Sequence, residues 1–266
     1  MALLAALQFL TRLPIRLPRP VPGHRYVVWC GVAGALVGLL TGGVAWLVAQ
    51  VLPLPVSGAV GVVVGLLVTG AFHEDGLGDV ADAFGGGWDV QQRLEILKDS
   101  RQGTYGVTAI VASVGLRMLL AGTVPDPEAL LVGFVVAGAL GRVALLVVLA
   151  LGRPATTSGM AASLYRRLSR PMCLLGALTG TFLAGAALAL GWAPDLLGTP
   201  AWWPAGAPIV WLLLLLTLAT LVAALAVWRL AVAKIGGVVG DVLGATEQVA
   251  EVAVWLVLAA AVHSAA

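Results

Sequence analysis

The stretch Pro208–Trp228, with the sequence PIVWLLLLLTLATLVAALAVW, contains no charged residue and is long enough to cross a bilayer as a single helix. Six other apolar stretches have a similar character. They are Val27–Gln50, Val56–His73, Thr104–Gly122, Ala129–Leu151, Pro171–Trp192 and Val249–His263. The last of these is short, and an earlier start near Val242 is the alternative for its helix. We therefore predict an all-α fold, a polytopic integral membrane bundle of about seven transmembrane helices that forms a single domain over residues 1–266.

The composition of the whole chain agrees with this prediction. Of its 266 residues, 60% are hydrophobic and only 11% are charged, and the mean hydropathy is +1.02. An average soluble domain is about 45–50% apolar and about 25% charged. The composition therefore excludes a soluble enzyme, a disordered chain and a protein that binds nucleic acid through a basic surface, and it makes the lipid bilayer the expected environment. The N-terminal stretch Ala2–Leu10 is too short to span and is a candidate surface helix.

The basic residues predict how the helices are oriented. Lys and Arg cluster before the first span, between spans two and three, between spans four and five, and after span six. The other connections, near Leu52–Pro55, Thr123–Glu128 and Ala193–Ala207, contain neither residue. Because cytoplasmic loops are enriched in basic residues, we predict that the N-terminus and the even-numbered loops are cytoplasmic and that the C-terminus lies outside.

The predicted cytoplasmic loop at about residues 74–103 is acidic and holds seven of the thirteen acids of the chain. Asp75, Asp79 and Asp82 are spaced at i, i+4 and i+7, so they project from one face if this segment is helical. Like charges on one face repel each other, which favours a bound cation. Carboxylates with room for phosphate oxygens suit Mg²⁺, so we predict that the three aspartates are metal ligands. A solvated acidic helix end is the alternative.

Basic residues follow in the same loop. Arg93, Lys98 and Arg101 stand near Asp99 and Ser100. Cations next to a carboxylate metal site suit a diphosphate, because they share its charge with the metal. We therefore expect Arg93 and Ser100 to bind substrate. Ion pairs within the loop are the alternative.

A second polar region accompanies the start of the last span, on the same predicted side, and contains Asp241, Glu247 and Glu251. Two arginines, Arg117 and Arg142, lie inside spans three and four. Charged residues within a membrane are costly and usually mark a functional site or a buried partner. We expect each arginine to pair with an acid or a substrate phosphate, with snorkelling to the outer surface as the alternative for Arg117. We interpret Arg142 and the three acids as substrate-binding residues.

Four stretches of the chain resemble a known family. Residues His73–Ala83, HEDGLGDVADA, resemble the H-x-D-G-x-x-D-x-x-D-G signature of the adenosylcobinamide-GDP ribazoletransferases, or cobalamin synthases. Residues Arg93–Gly106, RLEILKDSRQGTYG, resemble the R-x-L-E-I-M-K-D-S-R-x-G-x-x-G motif of that family. Phe9–Pro14 and Gly236–Ala245 are also similar, so the resemblance runs from one end of the chain to the other.

The resemblance implies a phosphotransferase that moves the adenosylcobinamide phosphate group of adenosylcobinamide-GDP to α-ribazole or α-ribazole 5′-phosphate. The products would be GMP and adenosylcobalamin or its 5′-phosphate. The resemblance also implies dependence on Mg²⁺ and a multi-pass position in the cytoplasmic (inner) membrane of a prokaryote, with the active site facing the cytoplasm. A homo-oligomer, or association with other cobalamin-assembly enzymes, is compatible with it.

The implied reaction suggests a role for each site residue. Mg²⁺ held by the three aspartates would bridge the diphosphate, and the ribazole 5′ hydroxyl would attack the phosphorus attached to cobinamide. Lys98 or Arg101 would stabilise the departing GMP. Asp82 or Asp99 would accept the hydroxyl proton, although positioning and charge matter more than the base in a loose phosphoryl-transfer transition state.

Two other functions are open alternatives. A CDP-alcohol phosphotransferase would also use an aspartate-rich helix, but its D-x-x-D-G-x-x-A-R pattern is not met because Ala83 follows Asp82. An ion-coupled transporter would use Arg117, Arg142 and Glu251 as a relay. Against the transporter, most of the charges gather at one predicted surface and not at the bilayer midplane, where such proteins bind their substrates.

Overall fold

The computed structural model describes residues 1–191 and 209–265. Over these ranges the chain is helical apart from its connections, and extended backbone pairs only at one bridge, between Pro154 and Val238. The helices are α1 (Ala2–Leu10), α2 (Gly23–Tyr26), α3 (Cys30–Ala49), α4 (Leu54–Thr69), α5 (Phe72–Gly86), α6 (Val90–Ile96), α7 (Thr104–Ala121), α8 (Pro127–Leu151), α9 (Met160–Tyr165), α10 (Arg170–Gly191), α11 (Ile209–Ile235) and α12 (Gly240–Ala265). The predicted outer connection Ala193–Ala207 lies outside the described residues.

Within the described ranges, six helical stretches are long and apolar enough to cross a membrane. They are Gly23–Ala49, which combines α2 and α3, and the helices α7, α8, α10, α11 and α12. The pair α4 and α5 makes a seventh if it is counted as one span, but the two helices meet at an angle of 88°. The predicted polytopic bundle of about seven transmembrane helices is confirmed, with the second one bent.

The last helix has the earlier of the two predicted starts, close to Val242. The apolar stretch starts near Val249, whereas α12 begins at Gly240. The first turns of α12 contain the polar residues Thr246, Glu247 and Gln248, and all three are buried inside the bundle. These polar residues therefore lie within the helix and contact other helices, and they do not mark its start.

An elbow ends the second span earlier than the predicted His73. Helix α4 stops at Thr69, and Gly70 and Ala71 follow in left-handed backbone with φ values of 67° and 54°. Glycine adopts this conformation readily, whereas alanine is strained there and is held in place by its surroundings. Helix α5 starts directly after the elbow, so much of the predicted acidic loop is helical.

Helix α8 is the centre of the bundle. Its apolar stretch is 83% buried, against 44% or less for the other spans. Helix α3 packs closely on it, because a Cβ at Gly34 or Gly38 would overlap the backbone of α8. Small residues permit such close approach of helices. Helices α10 and α12 pack on other sides of α8, so α8 is the support on which the site is built.

Helix α1 is more than the candidate surface helix that the sequence predicts. Its Ala5, Ala6 and Leu10 are buried. Directly after it, the backbone N–H of Arg12 donates to the carbonyl oxygen of Val68 at 2.7 Å. Helix α1 therefore packs one face onto the bundle and is tied to the elbow between α4 and α5.

Connections that are predicted to be cytoplasmic meet at one end of the bundle. Arg93 of α6 donates a side-chain hydrogen bond to the carbonyl oxygen of Lys234 at 3.0 Å. The backbone N–H of Val238 donates to the carbonyl oxygen of Arg153 at 2.8 Å. The connections after α5, α8 and α11 therefore lie on the same side, as the topology prediction requires.

Candidate active site

Helices α5 and α12 touch along their backbones. A Cβ at Gly76 would lie 2.9 Å from the carbonyl oxygen of Asp241, and one at Gly244 would lie 3.1 Å from a backbone oxygen of α5. Larger side chains at these positions would force the two helices apart. Because of this contact, Asp241 of α12 and Asp75 of α5 line the same small cavity.

The three aspartates of α5 share one face but have different partners. Asp79 accepts a hydrogen bond from the side-chain amide of Gln102 at 2.7 Å. Asp82 accepts from the backbone N–H groups of Gly103 and Gly106 at 2.6 and 2.9 Å. These N–H groups lie at the start of α7, where backbone donors lack partners within the helix and a negative charge is favourable. Asp82 therefore caps α7 and joins the two acidic-loop motifs.

The remaining carboxylates offer a partial set of metal ligands. Within residues 1–191 and 209–265, no hydrogen bond or ion pair engages the exposed side chain of Asp75, and no three His, Cys, Asp or Glu side chains surround a common metal position. Mg²⁺ is usually held by one or two carboxylates together with water and substrate phosphates. A pair of carboxylates, such as Asp75 with Asp79 or Asp75 with Asp241, fits that pattern, whereas both oxygens of Asp82 already accept hydrogen bonds.

Asp99 and Arg101 form an exposed ion pair between α6 and α7. Nη2 of Arg101 lies 2.6 Å from Oδ2 of Asp99, and the Arg101 side chain is 87% exposed. The hydrogen bonds from Arg101 lower the pKa of Asp99 to about 2. Asp99 is therefore ionised at neutral pH, and the loop ion pair that the sequence leaves open as an alternative exists for these two residues.

The other predicted site residues between Val90 and Gly103 are Arg93, Lys98 and Ser100. Of these, within the described residues, only Arg93 is held by side-chain hydrogen bonds to other parts of the chain. Arg93 donates to the carbonyl oxygens of Lys234 and Trp88 at 3.0 and 3.1 Å, so it holds α6 against the end of α11. Lys98 and Ser100 are exposed. Since no ion pair engages Lys98 in the described part of the chain, its ammonium group is free to meet an anionic substrate.

A cluster of ion pairs lies buried between α5, α7, α8 and α12. Arg117 contacts Glu74 at 2.7 Å and Glu251 at 2.9 Å. Arg142 contacts Glu251 at 2.6 Å and Glu247 at 2.5 Å. Glu251 therefore bridges both arginines. Of the two partners expected for Arg142, an acid or a phosphate, the structure has acids.

Sequence reasoning missed three members of this buried cluster, namely Glu74, Ser113 and Gln248. Gln248 donates a hydrogen bond to Glu74 at 3.0 Å and accepts one from Ser113 at 2.9 Å. For Glu74 the sequence does contain a signal. Glu74 directly precedes Asp75, and adjacent residues of a helix do not share a face, so Glu74 cannot lie on the face that carries Asp75. The partners of Glu74 lie on other helices and have no local sequence signal. Gln102, which contacts the aspartate face, was missed for the same reason.

The comparisons with known proteins agree with the motifs. The family model described as Cobalamin-5-phosphate synthase matches residues 2–259. Two relatives named adenosylcobinamide-GDP ribazoletransferase come from Bradyrhizobium diazoefficiens and Shewanella woodyi. The first is 35% identical over 260 residues, covering 96% of this chain and 92% of the relative. The second is 35% identical over 280 residues, covering 95% and 93%.

A third relative of the same name, from Shewanella baltica, is 34% identical over 237 residues, covering 86% of this chain and 80% of the relative. No solved structure matches the chain. The family match extends over nearly all the helices, and it includes both acidic-loop motifs and the start of α12. The chain therefore belongs to the Cobalamin-5-phosphate synthase family.

Proposed function

We propose that the protein is an adenosylcobinamide-GDP ribazoletransferase, which transfers the adenosylcobinamide phosphate group to α-ribazole or its 5′-phosphate and releases GMP. The reaction is inferred from the name of its relatives. One observation carries the proposal to this chain. The aspartate helix, the segment after α6 and the start of α12 are separate in sequence, but they converge through the hydrogen bonds of Asp79 and Asp82 and the backbone contact between Gly76 and Asp241. The family match also makes a CDP-alcohol phosphotransferase or a transporter a poorer interpretation.

The family description bears on the attacking group. Its product carries a phosphate at the 5 position, so a ribose that already has this phosphate cannot attack through the 5′ hydroxyl. The 5′ hydroxyl expected from the sequence is therefore a poor choice of nucleophile. We assign the attack to another ribose hydroxyl, which is available in both α-ribazole and its 5′-phosphate.

In the proposed reaction this hydroxyl attacks the phosphorus that carries cobinamide. A new phosphorus–oxygen bond forms, the bond from that phosphorus to the bridging diphosphate oxygen breaks, and GMP leaves. The unpaired ammonium group of Lys98 is suited to the charge that develops on GMP. Asp99 already accepts strong hydrogen bonds from Arg101, which lower its pKa and make it a weak base. A loose transition state depends little on a base.

We assign Mg²⁺ to Asp75 and Asp79, and Asp241 lines a small cavity together with Asp75. Bound there, Mg²⁺ would neutralise diphosphate charge. Asp82 has a positioning role in this assignment. By capping α7 it fixes the turn that carries Gln102, and Gln102 in turn holds the Asp79 carboxylate.

We propose that the site faces the cytoplasm from a prokaryotic inner membrane. The support is that α6 and the connections after α8 and α11, which contain basic residues, lie at the same end of the bundle as the aspartate helix. Basic connections are typical of the cytoplasmic side. Labelling of single cysteines placed in α6 and in the connection between α3 and α4 should give opposite accessibility.

The direct test is an assay of the purified protein in lipid nanodiscs with adenosylcobinamide-GDP, α-ribazole and Mg²⁺. GMP and adenosylcobalamin should appear in equal amounts, and omission of α-ribazole should abolish both. Asp75→Asn is the matched inactive control. Failure of the wild-type protein to release GMP, together with release of CMP from a CDP-alcohol, would favour the other phosphotransferase.

A further inference from the structure

A cavity of about 690 Å³ opens at the elbow between α4 and α5. Phe9, Phe72, Ile110 and Val114 contribute apolar wall, and Asp75 of the aspartate face lies on its edge. Cavities of about 300–1,000 Å³ are typical for ligands of drug size. The cavity is therefore large enough for a nucleoside, whereas a corrinoid nucleotide is several times larger and could not enter it whole.

We propose that this elbow cavity binds the nucleophilic substrate, α-ribazole or its 5′-phosphate, and that adenosylcobinamide-GDP binds outside it. The proposal rests on the proposed function, because it divides the two substrates of that reaction between two parts of the site. It is carried by three features of the cavity, namely its aromatic wall, its charge and its position along α5.

The aromatic wall suits a planar heterocyclic base. The rings of Phe9 and Phe72 pack edge to face, with centroids 5.3 Å apart and an interplanar angle of 81°. The Phe72 side chain is nevertheless 38% exposed, so part of its ring is available to a ligand. A smaller cavity of about 60 Å³ is also lined by Phe9, Phe72 and Asp75. Aromatic rings gain from stacked or edge-to-face contact, and these two rings offer both faces and edges.

The charge of the cavity suits a nucleoside or its monophosphate better than a diphosphate. Arg12 is the one basic residue in its wall, which also contains Glu74 and Asp75 of α5. Its guanidinium packs on Gly70, and no ion pair engages it in the described chain. Arg12 is therefore available for a single 5′-phosphate. Lys98 and Arg101, by contrast, belong to the segment between α6 and α7, at the other end of the aspartate face.

The position of the cavity fits the geometry of an in-line displacement. Asp75, at the cavity edge, and Asp82, which contacts Gly103, are seven residues apart, or about 10 Å along α5. The nucleoside cavity and the basic segment therefore flank the carboxylates from opposite ends. Phosphoryl transfer requires the attacking and leaving oxygens to lie on opposite sides of phosphorus. Binding α-ribazole at the elbow and GMP near Lys98 meets that requirement.

A matched pair of substitutions on α7 tests the cavity. Ile110→Trp fills it, whereas Val111→Trp places the same ring at a neighbouring position that is 65% exposed and outside the cavity wall. We expect Ile110→Trp to raise the KM for α-ribazole by about tenfold or more and to leave the KM for adenosylcobinamide-GDP within about twofold. Ile110→Phe, a milder change, should give a smaller shift in the same direction. Val111→Trp should change neither KM.

The outcomes separate this proposal from the proposed function. If the wild-type protein releases no GMP, the proposed function fails. If it is active but Ile110→Trp and Ile110→Phe raise both KM values alike, or raise only that for adenosylcobinamide-GDP, the assignment of the cavity is overturned. Unchanged KM values in both variants would overturn it too.

A second pair tests the part of the cavity next to Arg12. Arg12→Ala should raise the KM for α-ribazole 5′-phosphate about tenfold, the expected loss of one charge-assisted hydrogen bond, and leave the KM for α-ribazole nearly unchanged. Arg16→Ala, in the same exposed segment, is the control. An equal effect of Arg12→Ala on both forms of the substrate, or no effect on either, would overturn the assignment of the 5′-phosphate to Arg12.

Discussion

Glu74 and Asp75 are neighbours in the sequence, yet they belong to two regions with opposite chemistry. Glu74 is buried and paired with Arg117 at 2.7 Å, as part of the buried ion-pair cluster. Asp75 is exposed on the aspartate face, and nothing in the described chain neutralises it. Inside the bundle, Arg117 and Arg142 neutralise the buried glutamates. In the described chain, no arginine or lysine forms an ion pair with the aspartates of α5. The comparison shows that acids which look alike in a motif can be structural or functional according to the helix face on which they lie.

The buried cluster should be the more sensitive to loss of one charge. Arg142→Ala leaves Glu247 and Glu251 without their shared partner inside the protein. Breaking a buried ion pair typically costs about 3–5 kcal/mol, so the midpoint of thermal unfolding without substrate should fall strongly. Arg170→Ala, at the exposed start of α10, is the matched control. Equal midpoints for the two variants would contradict the buried cluster.

The aspartate face should show the reverse behaviour. Asp75→Asn and Asp79→Asn remove charge with little change of shape, and we expect each to lower the rate of GMP release by at least about a hundredfold, because even changes beside metal ligands cost 10–100-fold. Their unfolding midpoints should match that of the wild type. Glu95→Gln, an exposed change in α6, is the control. Near-normal turnover of both variants at saturating Mg²⁺ would refute the metal-binding assignment.

Substitution of Lys98 tests whether the aspartate face lies next to the diphosphate of the substrate. Lys98→Ala should raise the KM for adenosylcobinamide-GDP about tenfold, as expected for loss of one hydrogen bond to a charged group. The KM for α-ribazole and the Mg²⁺ concentration for half activity should stay close to their wild-type values. Arg166→Ala, an exposed change on the same predicted side, is the control. A uniform rise in both KM values would instead indicate that Lys98 maintains the fold of its segment.

Asp82 lies between the two regions, and its substitution should have the smallest effect. Asp82→Asn keeps an oxygen for the N–H groups of α7 but removes the charge, so we expect a loss of stability of about 1 kcal/mol, as for other helix caps, and a modest fall in turnover. The Mg²⁺ concentration for half activity should not change. A shift as large as that of Asp75→Asn would identify Asp82 as a metal ligand after all.

Much of this architecture is predictable from local sequence. Apolar length predicts the transmembrane helices, because a span must cover the hydrocarbon with its own residues. The spacing of Asp75, Asp79 and Asp82 predicts a shared face, because the helical repeat is local. The elbow at Gly70 and Ala71 was not predicted, since an alanine in left-handed backbone has no sequence signature. The start of α12 was left open between Val242 and Val249, because buried polar residues resemble a helix end.

The sequence by itself determined that this protein is an all-helical membrane protein, that most of its acids gather in one segment, and to which family it belongs. These properties follow from composition, periodicity and motif, each of which is contained in a short stretch of chain. Only the tertiary structure decided which acids are paired with arginine, that Asp82 caps α7, and that Asp241 and Asp75 line one cavity. Those outcomes depend on contacts between helices far apart in sequence, where Gly76 and Gly244 let α5 and α12 approach and burial selects which charges must be compensated.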